Sequence, residues 1–272
     1  MRLYTIKKII FRVAPPLLMD FIIYIYKVYK KDENNARYVE VNKADNIDFK
    51  QIFYSTSTPV FNIPLDKIRH HGGQAYSYSQ HHFMQYYKDG ITALSNYYSN
   101  HTPNTIYEKH FIFDTNSKQT DLPWSGDYKK NIAVEHGMGA GHGHSAFGPV
   151  SNSKLKLEAN RLDTCLNSIK HNGYLIKNRF TREYNGFPRG YFLVSNTGEW
   201  IFRVVGAKHR VAALAHLGWK NIPVCCELSF PRCIFESDIS NWPGVSSGEY
   251  KESEAKLIFD SYFRDTNLKL WH

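Results

Sequence analysis

The stretch from Trp200 to Val224, WIFRVVGAKHRVAALAHLGWKNIPV, permits few local arrangements. Trp200 to Val205 is rich in β-favouring residues, Gly206 and Ala207 let the backbone turn closely, and Val211 to Leu217 has strong helix character. The order predicts a strand, a tight basic turn, a helix and a second strand. Lys208, His209 and Arg210 fall in the first helical turn, where unpaired N–H groups and the helix dipole favour an anion. A Lys point charge and an Arg fork strengthen that preference, and cations at this end oppose the dipole until an anion neutralises them. Gly206, Ala207, Lys208, His209 and Arg210 are therefore the candidate phosphate-binding element, against the alternative of a solvated basic turn.

Upstream, Leu155, Ala159, Leu162, Leu166 and Ile169 recur at helical spacing and give one apolar face. Ser151 or Ser153 can cap the start of this helix, and Gly173 follows its end. Lys154, Glu158 and Arg161 lie off the stripe, and a solvated Glu158–Arg161 pair would contribute about 0.2–0.5 kcal/mol.

GAKHRVAALAHLGWKNIPV resembles the second conserved box of the ParB/sulfiredoxin superfamily, a Gly-rich turn ending in Arg that opens a helix leading to an "LG-x-x-x-IPV" strand. Gly148 to Ile176, with "L-x-SI-x-x-x-G", resembles its first box, so the likeness covers about residues 148 to 228. Sulfiredoxins carry a catalytic Cys two places before the Arg of the turn; Lys208 stands there instead, against sulfinic-acid repair. Partition proteins of the superfamily continue into a helix-turn-helix domain, for which the residues between Pro223 and His272 are expected to leave little room. The free-serine-kinase branch, which holds ATP on a similar turn, is closest by elimination, although Gly206-Ala207 replaces its usual Asp-Gly. The resemblance places Ser151, Lys154 and Glu158 at the same cleft as the phosphate turn.

The net charge of +9 raises the possibility of a nucleic-acid partner. Residues 1 to 31, however, hold seven basic residues against Asp20 alone, a net of +6, which leaves +3 for the rest of the chain. A basic face on a folded body is missing from this distribution, so no nucleic acid is expected as a partner. Cys165, Cys225, Cys226 and Cys233 have no C-x-x-C spacing and read as reduced, mostly buried thiols of a cytosolic protein. Residues 3 to 29 are strongly apolar, yet Lys7, Lys8, Arg12, Pro15, Pro16 and Asp20 interrupt every run before the ~20 residues a bilayer span needs. Two short helices broken at Pro15-Pro16 and lying on an anionic membrane surface fit better; packing on the domain or oligomerisation is the alternative. The "KKII-x-x-x-x-PPLL" start resembles the N-termini of cytoplasmic enzymes of bacterial surface-polysaccharide clusters.

Asp32 to Asn46 reads as a polar linker, His70-His71-Gly72-Gly73 as a loop, and His81 to Tyr98 as an amphipathic helix or helix pair. Tyr76, Tyr78, Phe83, Tyr86, Tyr87, Tyr97 and Tyr98 either line a sugar groove or pack in the core. The glycines and histidines of EHGMGAGHGHS, Glu135 to Ser145, imply a loop whose backbone approaches something closely. The spacing of His136, His142 and His144 matches no zinc pattern, and no metal bound by protein side chains is expected.

Together these readings predict an α/β protein with a ParB/sulfiredoxin-like mixed sheet over residues 131–272, ending in a C-terminal helix. An aromatic-rich extension over 32–130 packs on it, and an interfacial segment occupies 1–31. The predicted activity is phosphoryl transfer from ATP or CTP, with Mg²⁺, to a glycan, glycolipid or other small hydroxyl acceptor at the inner membrane face. A non-catalytic nucleotide-binding scaffold is the alternative. Gly206, Ala207, Lys208, His209, Arg210, Ser151 and Lys154 are the expected nucleotide ligands, and Glu135, His136 and Glu158 the candidate bases.

Overall fold

The structure, a computed structural model, describes residues 40–41, 47–54, 60–113, 118–125, 138–174, 186–227 and 231–264. The expected interfacial helices of residues 1–31, and with them Glu135 and His136, lie outside the described residues. In chain order the elements are β1 (Glu40–Val41), α1 (Phe49–Tyr54), β2 (Val60–Pro64), β3 (Ile68–Arg69), α2 (His82–Asp89), α3 (Ile91–Asn100) and α4 (Ile106–Lys109). There follow α5 (Asn152–Asn172), β4 (Arg189–Val194), β5 (Trp200–Gly206), α6 (Lys208–His216), β6 (Asn221–Cys226), β7 (Cys233–Phe235), α7 (Pro243–Ser246) and α8 (Glu252–Asp260).

The strands form one mixed sheet in the order β1-β2-β6-β4-β5-β3, with β7 also pairing β4. β4 and β5 are an antiparallel hairpin, and β2 runs antiparallel to β6. The remaining pairings are parallel. Alternation along the central hairpin sorts its side chains between two layers. Phe192, Val194, Phe202 and Val204 face one core with Leu162, Leu166 and Ile169 of α5, Val211 and Leu214 of α6, and Phe83 of α2. Tyr191, Leu193 and Ile201 face a second core with Ile106, Trp242, Ile258 and Phe259. Burial on both faces is why these strands read as near-continuous apolar runs.

The predicted strand, turn, helix and strand of residues 200 to 226 are β5, α6 and β6. The predicted capped helix is α5, where the Ser151 Oγ accepts the Lys154 N–H at 3.1 Å and Gly173 ends the last turn at φ 72°. Ala159, Leu162, Leu166 and Ile169 are its buried face. The predicted helix pair is α2 and α3, divided at Gly90, whose φ of 75° continues no helix. Residues 40–41 supply β1, and β2 and the start of β3 come from within residues 58–68, a stretch that reads as extended in sequence; backbone pairing joins all three to the sheet. All four cysteines are free, and Cys225 and Cys226 enter different apolar clusters. Burial raises their thiol pKa values, to about 11 for Cys225 and about 12 for Cys226. Among the described residues no helix is long and apolar enough to cross a membrane.

Candidate functional site

α6 begins at an unusual backbone position. Ala207, its N-cap residue, sits in the left-handed region at φ 60° and ψ 34°, which a non-glycine residue adopts at a cost of about 1 kcal/mol. That conformation turns the chain from β5 straight into the helix, so Lys208 and His209 occupy the first turn. α5 packs alongside, and its early turns bring Lys154 and Glu158 to the same place.

The two helices are joined by a buried ionic cluster. Glu158 has no solvent exposure; its Oε1 lies 3.0 Å from Lys154 Nζ and 3.4 Å from Arg161 Nη1, and its Oε2 lies 2.5 Å from His209 Nε2. Burial alone would raise this carboxyl, but the hydrogen bonds and charges of His209 and Lys154 outweigh it and hold the pKa at about 2. Burial lowers His209, and Glu158 offsets only part of that. The two directions fit one assignment: Glu158 is ionised, with Lys154 its counter-charge, and His209 is neutral and donates Nε2–H to the carboxylate. The lone pair of His209 then resides on Nδ1, which makes no hydrogen bond among the described residues. The expected solvated Glu158–Arg161 pair is instead a buried cluster, because packing of α6 on α5 removes that side of the helix from water.

Lys208 is held from the other side. Its Nζ donates to Ser145 Oγ at 2.6 Å, and Ser145 is the pivot of the loop that follows the Gly/His-rich segment. The Ser145 carbonyl accepts from Tyr98 OH at 2.9 Å and from His82 Nε2 at 3.1 Å, while Tyr97 OH donates to the Ala146 carbonyl at 2.8 Å. Tyr97 and Tyr98 are thus buried packing residues that pin a loop, as are Tyr76 and Phe83 in the same core. The Phe83 ring stacks on His209 at 4.6 Å and lies tilted 4.3 Å from His82.

Of the expected nucleotide ligands, Lys154 and His209 meet at Glu158, an expected base, and Lys208 precedes His209 in the first turn, with Gly206 and Ala207 forming the turn. Ser151 caps α5 and bonds His142 Nδ1 at 2.9 Å. Arg210 leaves the group: its guanidinium donates to the Gly186 carbonyl and lies beside Cys165. Both oxygens of Glu158 are engaged, Oε1 by Lys154 and Oε2 by His209, and its carboxyl is held at about 2, below the usual carboxylate range.

Sequence reasoning missed a second group. His70, after β3, and His81 and His82, at the start of α2, are buried together, and one nitrogen from each lies within 4.8 Å of the others. Burial first, then the charges of neighbouring histidines and Lys208, push all three pKa values well below 6.5. The doublets His70-His71 and His81-His82 were the only available signal. In comparison with known proteins, the chain matches no family model and no curated protein.

Proposed function

We propose that this chain binds a nucleoside triphosphate at the first turn of α6 and transfers its terminal phosphoryl group to a hydroxyl acceptor. The observation that carries the reading is the placement, side by side on one helical turn, of a cation and a carboxylate-oriented neutral histidine. Lys208 and the first N–H groups of α6 supply positive potential for phosphate oxygens. His209 Nδ1 accepts the proton of the attacking hydroxyl, and Glu158 fixes the tautomer and stabilises the imidazolium as it forms. The hydroxyl oxygen bonds to phosphorus as the bond to the leaving nucleoside diphosphate breaks. Mg²⁺ fits here as the nucleotide's own counter-ion, because both Glu158 oxygens are engaged by side chains. A ParB/sulfiredoxin-like architecture belongs to the same proposal, supported by the β5, α6, β6 order and by α5 meeting the turn. The acceptor class, a glycan or glycolipid at the membrane face, rests on the character of residues 1 to 31.

Calorimetry with ATP and CTP tests the binding half. Lys208→Ala should weaken affinity by about 1.5–3 kcal/mol, the range for a charge-assisted hydrogen bond. His209→Gln should leave affinity nearly intact and lower phosphoryl transfer by ~10²–10⁴-fold, the contribution of a general base. Equal nucleotide binding by wild type and Lys208→Ala, or none by either, defeats the reading; binding without any transfer identifies a scaffold instead.

A further inference from the structure

Buried polar atoms in folded proteins almost always have partners, and the exceptions mark places where something is missing. Around the start of α2 four imidazole nitrogens are buried with no hydrogen-bond partner among the described residues: His70 Nδ1 and Nε2, His81 Nε2 and His82 Nδ1. They belong to three rings in mutual contact, with centroids 4.8 Å apart for His70 and His81, 5.7 Å for His70 and His82, and 4.8 Å for His81 and His82. The rings do not satisfy one another, since none of these nitrogens is hydrogen-bonded to another.

The tautomers can be assigned from the partners that do exist. The Ser145 carbonyl only accepts, so His82 Nε2 carries the proton and its Nδ1 holds an unused lone pair. A ring nitrogen freed in this way, with its mate fixed by a backbone carbonyl, is the usual arrangement of a metal-ligating histidine. His70 has one lone pair in either tautomer and no bond that commits it. His81 is the ligand that must rearrange. Its Nδ1 accepts the Phe83 N–H at 3.1 Å, so coordination through the unpartnered Nε2 moves the ring proton to Nδ1 and exchanges the helix cap for a metal bond.

We propose that His70, His81 and His82 form a binding site for one divalent transition-metal ion, with zinc the best match. Three neutral imidazoles within 4.8 Å suit zinc and other borderline ions, whereas Mg²⁺ and Ca²⁺ require oxygen ligands. Aromatic packing surrounds the ligands: His81 stacks on Tyr76 at 4.2 Å and on His82 at 4.8 Å, and His82 stacks on Tyr97 at 4.2 Å, so coordination turns at least one of the two adjacent rings out of the stack. Three protein ligands leave a fourth position. Lys208 is close enough for its charge to act on all three rings, so a dication beside it favours an anionic fourth ligand, hydroxide or a phosphate oxygen. The site stands independently of the nucleotide reading, because its three protein ligands and their orphaned nitrogens lie outside the turn at α6.

The test uses the full chain, purified without a histidine tag, stripped of metal and titrated with Zn²⁺ and with Co²⁺ as a spectroscopic probe. One equivalent of Zn²⁺ should bind tightly and raise the melting temperature, and Co²⁺ should develop the intense visible bands of a low-coordinate imidazole site. His70→Ala and His82→Ala should each weaken Zn²⁺ binding by ~100-fold or more, while His71→Ala, at a neighbouring histidine outside the group, should leave it unchanged. If either ligand variant fails to fold, the Co²⁺ spectrum of the wild type still decides. A Co²⁺ spectrum identical to that of the aqueous ion, no stoichiometric Zn²⁺ uptake, or full-strength binding in folded His82→Ala would overturn the proposal. Loss of nucleotide binding with the metal site intact would count against the proposed function alone.

Discussion

Glu158 shows how much one side chain depends on its neighbours. A carboxylate without solvent contact is tolerated because Lys154 and His209 replace water around both oxygens. Glu158→Gln keeps the shape but leaves Lys154, itself 4 % exposed, facing a neutral amide. Breaking a buried pair from one side costs about 3–5 kcal/mol, so the urea midpoint should fall accordingly, and a loss under about 1 kcal/mol would show that the cluster relaxes into water. His101 gives a pH dependence of known sign. Burial lowers its pKa to about 4 from the ordinary 6.5, so between these values the unfolded chain takes up a proton that the folded chain refuses. Its contribution is complete above pH 6.5 and is lost as the pH falls, by about 1.4 kcal/mol per unit. His101→Phe preserves the stacking on Phe111 at 4.4 Å and should flatten the stability profile between pH 6.5 and 4 by that slope. Urea melts at several pH values check it, and an unchanged slope would assign the titration elsewhere.

At the scale of elements, the loop that leads into α5 is seated on α3 through a backbone contact. A Cβ added at Gly148 would lie 1.7 Å from the Tyr98 carbonyl oxygen, and the Gly148 N–H donates to the His101 carbonyl at 2.8 Å. Gly148→Ala must push the loop off α3, and Ser145, three residues earlier, moves with it. Destabilisation of about 3 kcal/mol is expected, together with loss of the Lys208 anchor, seen as weaker nucleotide binding in a thermal-shift assay. A variant that keeps wild-type melting and binding would place the contact elsewhere. α5 and α6 were legible in the sequence because their periodicity, caps and flanking glycines agree. The site was legible in part. Lys208 and His209 follow from the helix start, whereas a Glu and an Arg three residues apart read as a solvated pair until a second helix covers the Glu. The histidine group was not legible, since His70 meets His81 and His82 through the return of the chain after β3, a contact with no period. His81 and His82 point into the core despite being polar, and a hydrophobic pattern cannot register them.

On the scale of the whole molecule, the sheet binds distant parts of the chain. β2 pairs with β6 and β3 with β5, so described segments from the first part of the chain are stitched to the two strands that flank α6. Arg203 adds a tie on the opposite face. Its Nε and Nη1 donate to Tyr262 OH at 2.7 Å and Tyr191 OH at 2.6 Å, and Trp124 Nε1 donates to the same Tyr191 oxygen at 2.9 Å. The C-terminal layer is thereby locked to the strand whose other face supports α5 and α6. The pairing of β2 with β6 also governs how the protein is made. A ribosome adds ~5–20 residues per second, so Val60 to Pro64 leave the exit tunnel on the order of ten seconds before Asn221 to Cys226. For that interval the edge of β2 that β6 will cover stays open, and the nascent chain is exposed to pairing there with another copy of itself.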